Sequence, residues 1–180
     1  MKKTIRVFLS VFISVFILLS SVTAFGASYN PDVKLYSESY ILVNLDDSSY
    51  PVVAEKNADK RMYPASLTKI VTAIVTLNKI QDIGLTTSMS QESYDILLGS
   101  GAQVAGIKVG DTLSVEQLLY LTLVHSACDA TEMLAEYVAG SREKFVVMMN
   151  EYAASLGCEN TNFTNPDGLH DENQYTTAND

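Results

Sequence analysis

A mixed α/β domain of the α+β kind, with a β-hairpin in front and helices behind it, is what this sequence predicts. Three observations carry that expectation. Residues 39–45 are β-branched and apolar, Asp46-Asp47-Ser48-Ser49 turns the chain, and 51–56 follow as a partner strand. From Ser66 to Ile80 almost no polar face is left, the pattern of a helix buried all round. Three more helical segments follow at Ser114–Val124, Asp129–Val138 and Ser141–Leu156, with Gly140 and Gly157 where C-terminal caps belong. A length of 180 residues fits one such domain.

Ahead of the hairpin, Lys2, Lys3 and Arg6 make a basic start and Val7 to Leu19 is an apolar run broken only by Ser10 and Ser14. Small residues then stand at cleavage-type spacing, Val22/Ala24 or Ala24/Gly26. That is the layout of a secretory signal peptide over residues 1–26. The run is also short for a membrane span, which needs about 20 apolar residues. The expected mature domain, 27–180, is therefore exported and works outside the cytoplasmic membrane. Without those three cations the balance is 9 basic against 21 acidic residues. So negative a surface repels phosphate backbones and argues against nucleic-acid binding. Two cysteines are too few for a disulfide scaffold, and a Cys128–Cys158 bridge stays open at this level.

Between these elements, 84–111 is glycine-rich and reads as loop around one short helix, and 160–180 as a polar, turn-rich tail ending at a helix start. The chemistry-bearing pattern is Ser66-Leu67-Thr68-Lys69 at the mouth of the apolar helix. Residues three apart share a helical face with Cβ atoms about 5–6 Å apart, so the amine reaches the hydroxyl. A serine hydroxyl needs a base to become a nucleophile. Lysine serves when burial and the positive helix end destabilise its ammonium. The competing reading of Ser66 is an N-cap. A second Ser-x-x-Lys, Ser141 to Lys144, heads an amphipathic helix and reads as such a cap. Ser126, in His125-Ser126-Ala127-Cys128-Asp129, lies between two helices; it is either a proton relay or another cap.

Taken together these stretches resemble the serine D-alanyl-D-alanine carboxypeptidases, the low-molecular-mass penicillin-binding proteins. The resemblance rests on Tyr63-Pro64-Ala65-Ser66-Leu67-Thr68-Lys69, on Ile107-Lys108-Val109-Gly110-Asp111 with Ser114 to Leu119, and on Ser126-Ala127-Cys128 where the family carries Ser-x-Asn. Asn160 to Leu169 and Tyr175 to Asp180 continue it. It implies a DD-peptidase/β-lactamase-like fold, an antiparallel sheet flanked by helices with a helical subdomain. Ser66 would form an acyl-enzyme on the penultimate D-alanine of a peptidoglycan stem peptide ending in D-Ala-D-Ala. Lys69 would be the base and Ser126 the relay, with Cys128 in the substrate-binding position. No metal or organic cofactor is implied, and β-lactams would acylate the same serine.

Two departures stand out. Cys128 replaces an amide with a thiol, one weak donor and a weak acceptor. The family's Lys-Thr-Gly strand is not found in these residues, and Lys108-Val109-Gly110 matches a different family position. The expectation is therefore the N-terminal portion of the catalytic domain, with activity and any membrane association belonging to a longer chain. A class A-like β-lactamase is the alternative enzyme, disfavoured because only Glu172, late in its loop, offers the deacylating carboxylate. A catalytically impaired penicillin- or peptidoglycan-binding module is the alternative from another class. His125 reads as support for its turn, Asp167-Gly168 as a turn, and Cys158 as core.

Overall fold

The computed structural model describes residues 34–46 and 51–180; the expected leader at 1–26 and most of the hairpin turn lie outside the described residues. Two compact units are present, one comprising 34–36, 41–46 and 51–55, the other 37–40 and 56–180. In the first, strands β1 (Tyr40–Val43) and β2 (Val52–Lys56) pair as expected, and the Asn44 N–H donates to the Pro51 carbonyl at 3.1 Å.

The second unit is built on helices. A 3-10 turn (Ala65–Leu67) runs into α1 (Thr68–Lys79), and a short α2 (Gln91–Ile96) stands between strands β3 (Thr86–Ser88) and β4 (Thr112–Ser114). These strands pair antiparallel, Thr87 opposite Leu113, within the stretch expected to be loop. They are three residues each, too short for alternation to show. Then come α3 (Val115–Val124), α4 (Cys128–Ala139) and α5 (Arg142–Ser155). Their starts follow from local chemistry. Ser114 accepts from the Gln117 N–H at 3.2 Å while the Gln117 side chain accepts from the Ser114 N–H at 2.9 Å, a reciprocal cap. Ser141 accepts from the Lys144 N–H at 3.3 Å, so the second Ser-x-x-Lys is indeed a helix cap. Gly140 closes α4 in the left-handed region, φ +77°.

One expectation is corrected. The helix from Ser66 to Ile80 is not buried all round: Leu67, Ile70 and Leu77 are 66%, 51% and 50% exposed. Its buried stripe is Thr68, Lys69, Thr72, Ala73, Val75 and Thr76. Two of its three threonines bury with their hydroxyls on carbonyls, Thr72 Oγ1 on Pro166 at 2.6 Å and Thr76 Oγ1 on Thr72 at 2.9 Å, while Thr68 Oγ1 is buried without a hydrogen-bond partner. Hydropathy alone thus picks the wrong face. The central helix is instead α4, buried at every position from Cys128 to Ala135 and packed against α1, α2, α3, α5 and β3. Its alanines let neighbours approach closely. One apolar cluster joins Leu118, Met133 and Leu134 with Met89 and Ile107; a second joins Phe145 and Met149 with Val75 and Phe163.

The tail at 160–180 is tied down rather than loose. Bridges pair Asn162 with Tyr175 and Met62 with Thr176. Inside, buried Gln174 accepts from the Thr164 and Asn165 N–H groups at 3.0 and 3.1 Å, and Asn165 accepts from the Gly168 N–H at 2.7 Å. No helix is formed at 175–180 where a helix start was expected; the Asp180 N–H donates to Thr177 Oγ1 at 2.9 Å.

Candidate active site

Ser66 sits in the 3-10 turn, directly after Ala65, whose φ of +47° is strained for a residue with a Cβ. Ser126 occupies the connection between α3 and α4 with φ +58°, a second strained position. Bent in this way, the two serines meet: Ser126 Oγ donates to Ser66 Oγ at 3.0 Å across 60 residues of sequence. Neither hydroxyl caps a helix, since the cap positions are Pro64, Leu67 and Ala127, none with a side-chain cap bond. The capping alternative for Ser66 and Ser126 is thereby removed.

Lys69, one turn into the helix and only 3% exposed, lines the same cleft, of about 370 Å³, with Ser66, Ser126, Thr122 and Ile70. Its Nζ donates to the backbone carbonyl of Asp167 and to Cys128 Sγ, the latter at 3.6 Å. A hydrogen bond from Nζ to Ser66 Oγ is not among those of the described residues, so the cleft brings the three groups together without closing that link.

Cys128 is buried at the start of α4. Burial chiefly, with the nearby Asp167 carboxyl, pushes its thiol up from the usual range, against a smaller opposing effect of Lys69. It remains a thiol at neutral pH, which removes it as a competing nucleophile. Both cysteines are free, so the open question of a Cys128–Cys158 bridge is answered in the negative. Cys158 is half-buried against the Phe145 cluster and directs Sγ at the Asp180 carbonyl, 3.2 Å away. His125 is exposed and holds its turn through the Val104 carbonyl at 3.4 Å. Glu172 is exposed and lies outside the cleft lining. Among the described residues no group of three His, Cys, Asp or Glu could hold a metal ion, and no helix is long and apolar enough to cross a membrane.

Two features of the site were not read from the sequence as functional. Asp167-Gly168 is a turn, as expected, but it is also the wall of the site: Asp167 gives Lys69 its carbonyl, and Gly168 (φ +84°) packs onto the nucleophile turn. Asp129 accepts from the N–H groups of Ala105, Gly106 and Ile107 at 2.9, 2.8 and 3.0 Å, holding that loop against α4. Acids set among alanines and other apolar residues, as Asp129 and Glu132 are in α4, were the available signal.

Comparison with known proteins identifies the family. A family model described as D-alanyl-D-alanine carboxypeptidase matches residues 25–180. The chain is 38% identical over 174 residues to D-alanyl-D-alanine carboxypeptidase DacC of Escherichia coli (strain K12), covering 93% of this chain and 43% of that protein. It is 31% identical over 144 residues to DacF of Bacillus subtilis (strain 168), covering 80% and 36%. The structure of D-alanyl-D-alanine carboxypeptidase DacD from Francisella tularensis superposes with a TM-score of 0.74 at 33% identity, covering 84% of this chain and 36% of that one. The chain thus spans less than half the length of these relatives. The mixed α/β, DD-peptidase-like fold expected from the sequence is the fold they share.

Proposed function

Because this chain belongs to the D-alanyl-D-alanine carboxypeptidase family, we propose that it supplies the nucleophile and base of a serine-type D-Ala-D-Ala carboxypeptidase acting on peptidoglycan stem peptides. The observation that carries this reading is the 3.0 Å contact between Ser126 and Ser66 in a cleft shared with Lys69. Ser66 Oγ attacks the carbonyl of the penultimate D-alanine, and its proton passes to Lys69. The C–N bond breaks, Ser126 relays a proton to the departing amine, and D-alanine leaves. Water then hydrolyses the Ser66 ester and frees the shortened peptide. The Ser66 N–H, at the N-terminal end of a helix, faces the developing oxyanion. The leader-like start supports export beyond the cytoplasmic membrane, where this substrate lies.

The test uses the full-length protein and benzylpenicillin, whose strained amide stands in for the D-Ala-D-Ala bond. Intact mass and peptide mapping should place one penicilloyl group on Ser66, and Ser66→Ala should carry none. An adduct on Cys128 or Ser141, or one that survives Ser66→Ala, refutes the assignment. D-alanine release from a D-Ala-D-Ala peptide completes it.

Cys128→Asn probes the thiol. An amide here could accept from Lys69 through Oδ1 and still offer two donors. We expect the carboxypeptidase rate to stay level or rise. A loss of about tenfold or more, equivalent to 1.4 kcal/mol, at an unchanged melting temperature would show that the thiol has its own role.

A further inference from the structure

Glu132 and Asp167 are unused by the chemistry above, yet each is only 1% exposed. They converge from two elements, Glu132 from the middle of α4 and Asp167 from the loop that walls the site. Arg142, the first residue of α5, meets both: Nη1 donates to Glu132 Oε1 at 2.7 Å, and Nη2 lies 3.8 Å from Asp167 Oδ2. One guanidinium therefore faces two carboxyl groups. Glu132 Oε2 and Asp167 Oδ2 are buried and accept no hydrogen bond, the 3.8 Å approach of Arg142 to Oδ2 being too long for one. Ionised carboxylates only accept, so neither can satisfy the other, and among the described residues the single cation Arg142 is ion-paired with both. A single proton resolves both faults. With one carboxyl protonated, Glu132 and Asp167 hydrogen-bond to each other, and the trio with Arg142 becomes neutral.

We propose that Glu132 and Asp167 share one proton, and that this bridge, clamped by Arg142, positions Lys69 and Ser66 by fixing the loop around Asp167. The route is short. The same Asp167 whose side chain enters the bridge offers its carbonyl to Lys69 Nζ, and the next residue, Gly168, abuts Ala65 and Ser66. Arg142 and Glu143 face Glu132 from α5 and Asp167 faces it from the loop, while Lys69 of α1 meets that loop at the Asp167 carbonyl. Burial pushes Glu132 up to about 8; Arg142 opposes this and the hydrogen bond with Asp167 reinforces it. A carboxyl held protonated above its ordinary value of 4.5 stabilises the fold fully below that value. The contribution is lost progressively as pH rises to about 8 and is absent above.

The positioning half of this proposal rests on the function proposed above; the shared proton does not. In the full-length protein, Glu132→Gln imitates the protonated acid: its amide donates to Asp167 and its carbonyl accepts from Arg142. Between about pH 5 and pH 8.5 the wild type should lose about 5 °C or more of melting temperature relative to Glu132→Gln. Asp167→Asn, which removes the carboxylate that receives the Glu132 proton, should lessen the same slope. Equal slopes in the wild type and both variants overturn the shared proton. Penicillin acylation reads the positioning. The ratio of the Glu132→Gln rate to the wild-type rate should be near one at about pH 6 and rise about fivefold by about pH 9. A ratio that stays flat with pH overturns the positioning role. Absence of wild-type acylation at every pH would overturn the function and the positioning with it, while the melting comparison still decides the proton.

Discussion

Lys69→Arg lowers the rate of penicillin acylation by about 10²–10⁴-fold, the usual contribution of a positioned general base. A guanidinium keeps its proton in proteins and cannot accept one from Ser66. The slot also rejects it sterically: Lys69 is 3% exposed, with Nζ already against Cys128 Sγ at 3.6 Å. Stopped-flow acylation of the full-length variant measures the effect, with a melting curve alongside. Wild-type rates in Lys69→Arg would mean that another group takes the proton.

Gly168→Ala is expected to be the most damaging single methyl group in the site. A Cβ there would stand 2.0 Å from the Ala65 carbonyl oxygen, 2.5 Å from its carbon and 3.1 Å from the Ser66 nitrogen, all backbone atoms. No side-chain rotation relieves that, so the loop or the strained Ala65 turn must move. The φ of +84° adds its own penalty for any residue with a Cβ. Strain and displacement together should cost about 2–4 kcal/mol of stability. Misplacing Ser66 by about 1 Å should slow acylation about 10²-fold. Gly157→Ala is the control, because Gly157 has nearly the same φ, +83°, but nothing within 4 Å of its Cβ. It should lose only about 1 kcal/mol and keep its acylation rate. Equal losses at the two glycines would show that backbone conformation, not the packing of Gly168 on the nucleophile turn, is what matters.

What the sequence determined by itself is what a few neighbouring residues decide. Ser66 and Lys69 fall on one face of a 3-10 turn and the helix it runs into because they are three residues apart. Ser114 and Ser141 start helices because their hydroxyls reach N–H groups three residues on, and Gly140 ends one because it tolerates the left-handed region. The pairing of β1 with β2 was legible for the same reason, a turn between two apolar runs. The order of these motifs was enough to indicate the family.

Only tertiary structure decided which faces are buried and which distant groups meet. Hydropathy points to the leucine and isoleucine side of α1, but packing buried the threonine and lysine side, because loop carbonyls were there to receive the hydroxyls. The contact of Ser126 with Ser66 spans 60 residues and that of Lys69 with Asp167 spans 98. No local propensity encodes either; both depend on how α3, α4 and the final loop close around α1. The Glu132, Arg142 and Asp167 cluster is the extreme case. Arg142 and Asp167 alone read as ordinary surface charges, and Glu132 differs only in its apolar neighbours. Burial changes that: desolvation makes a second carboxylate costly, and a proton becomes part of the structure.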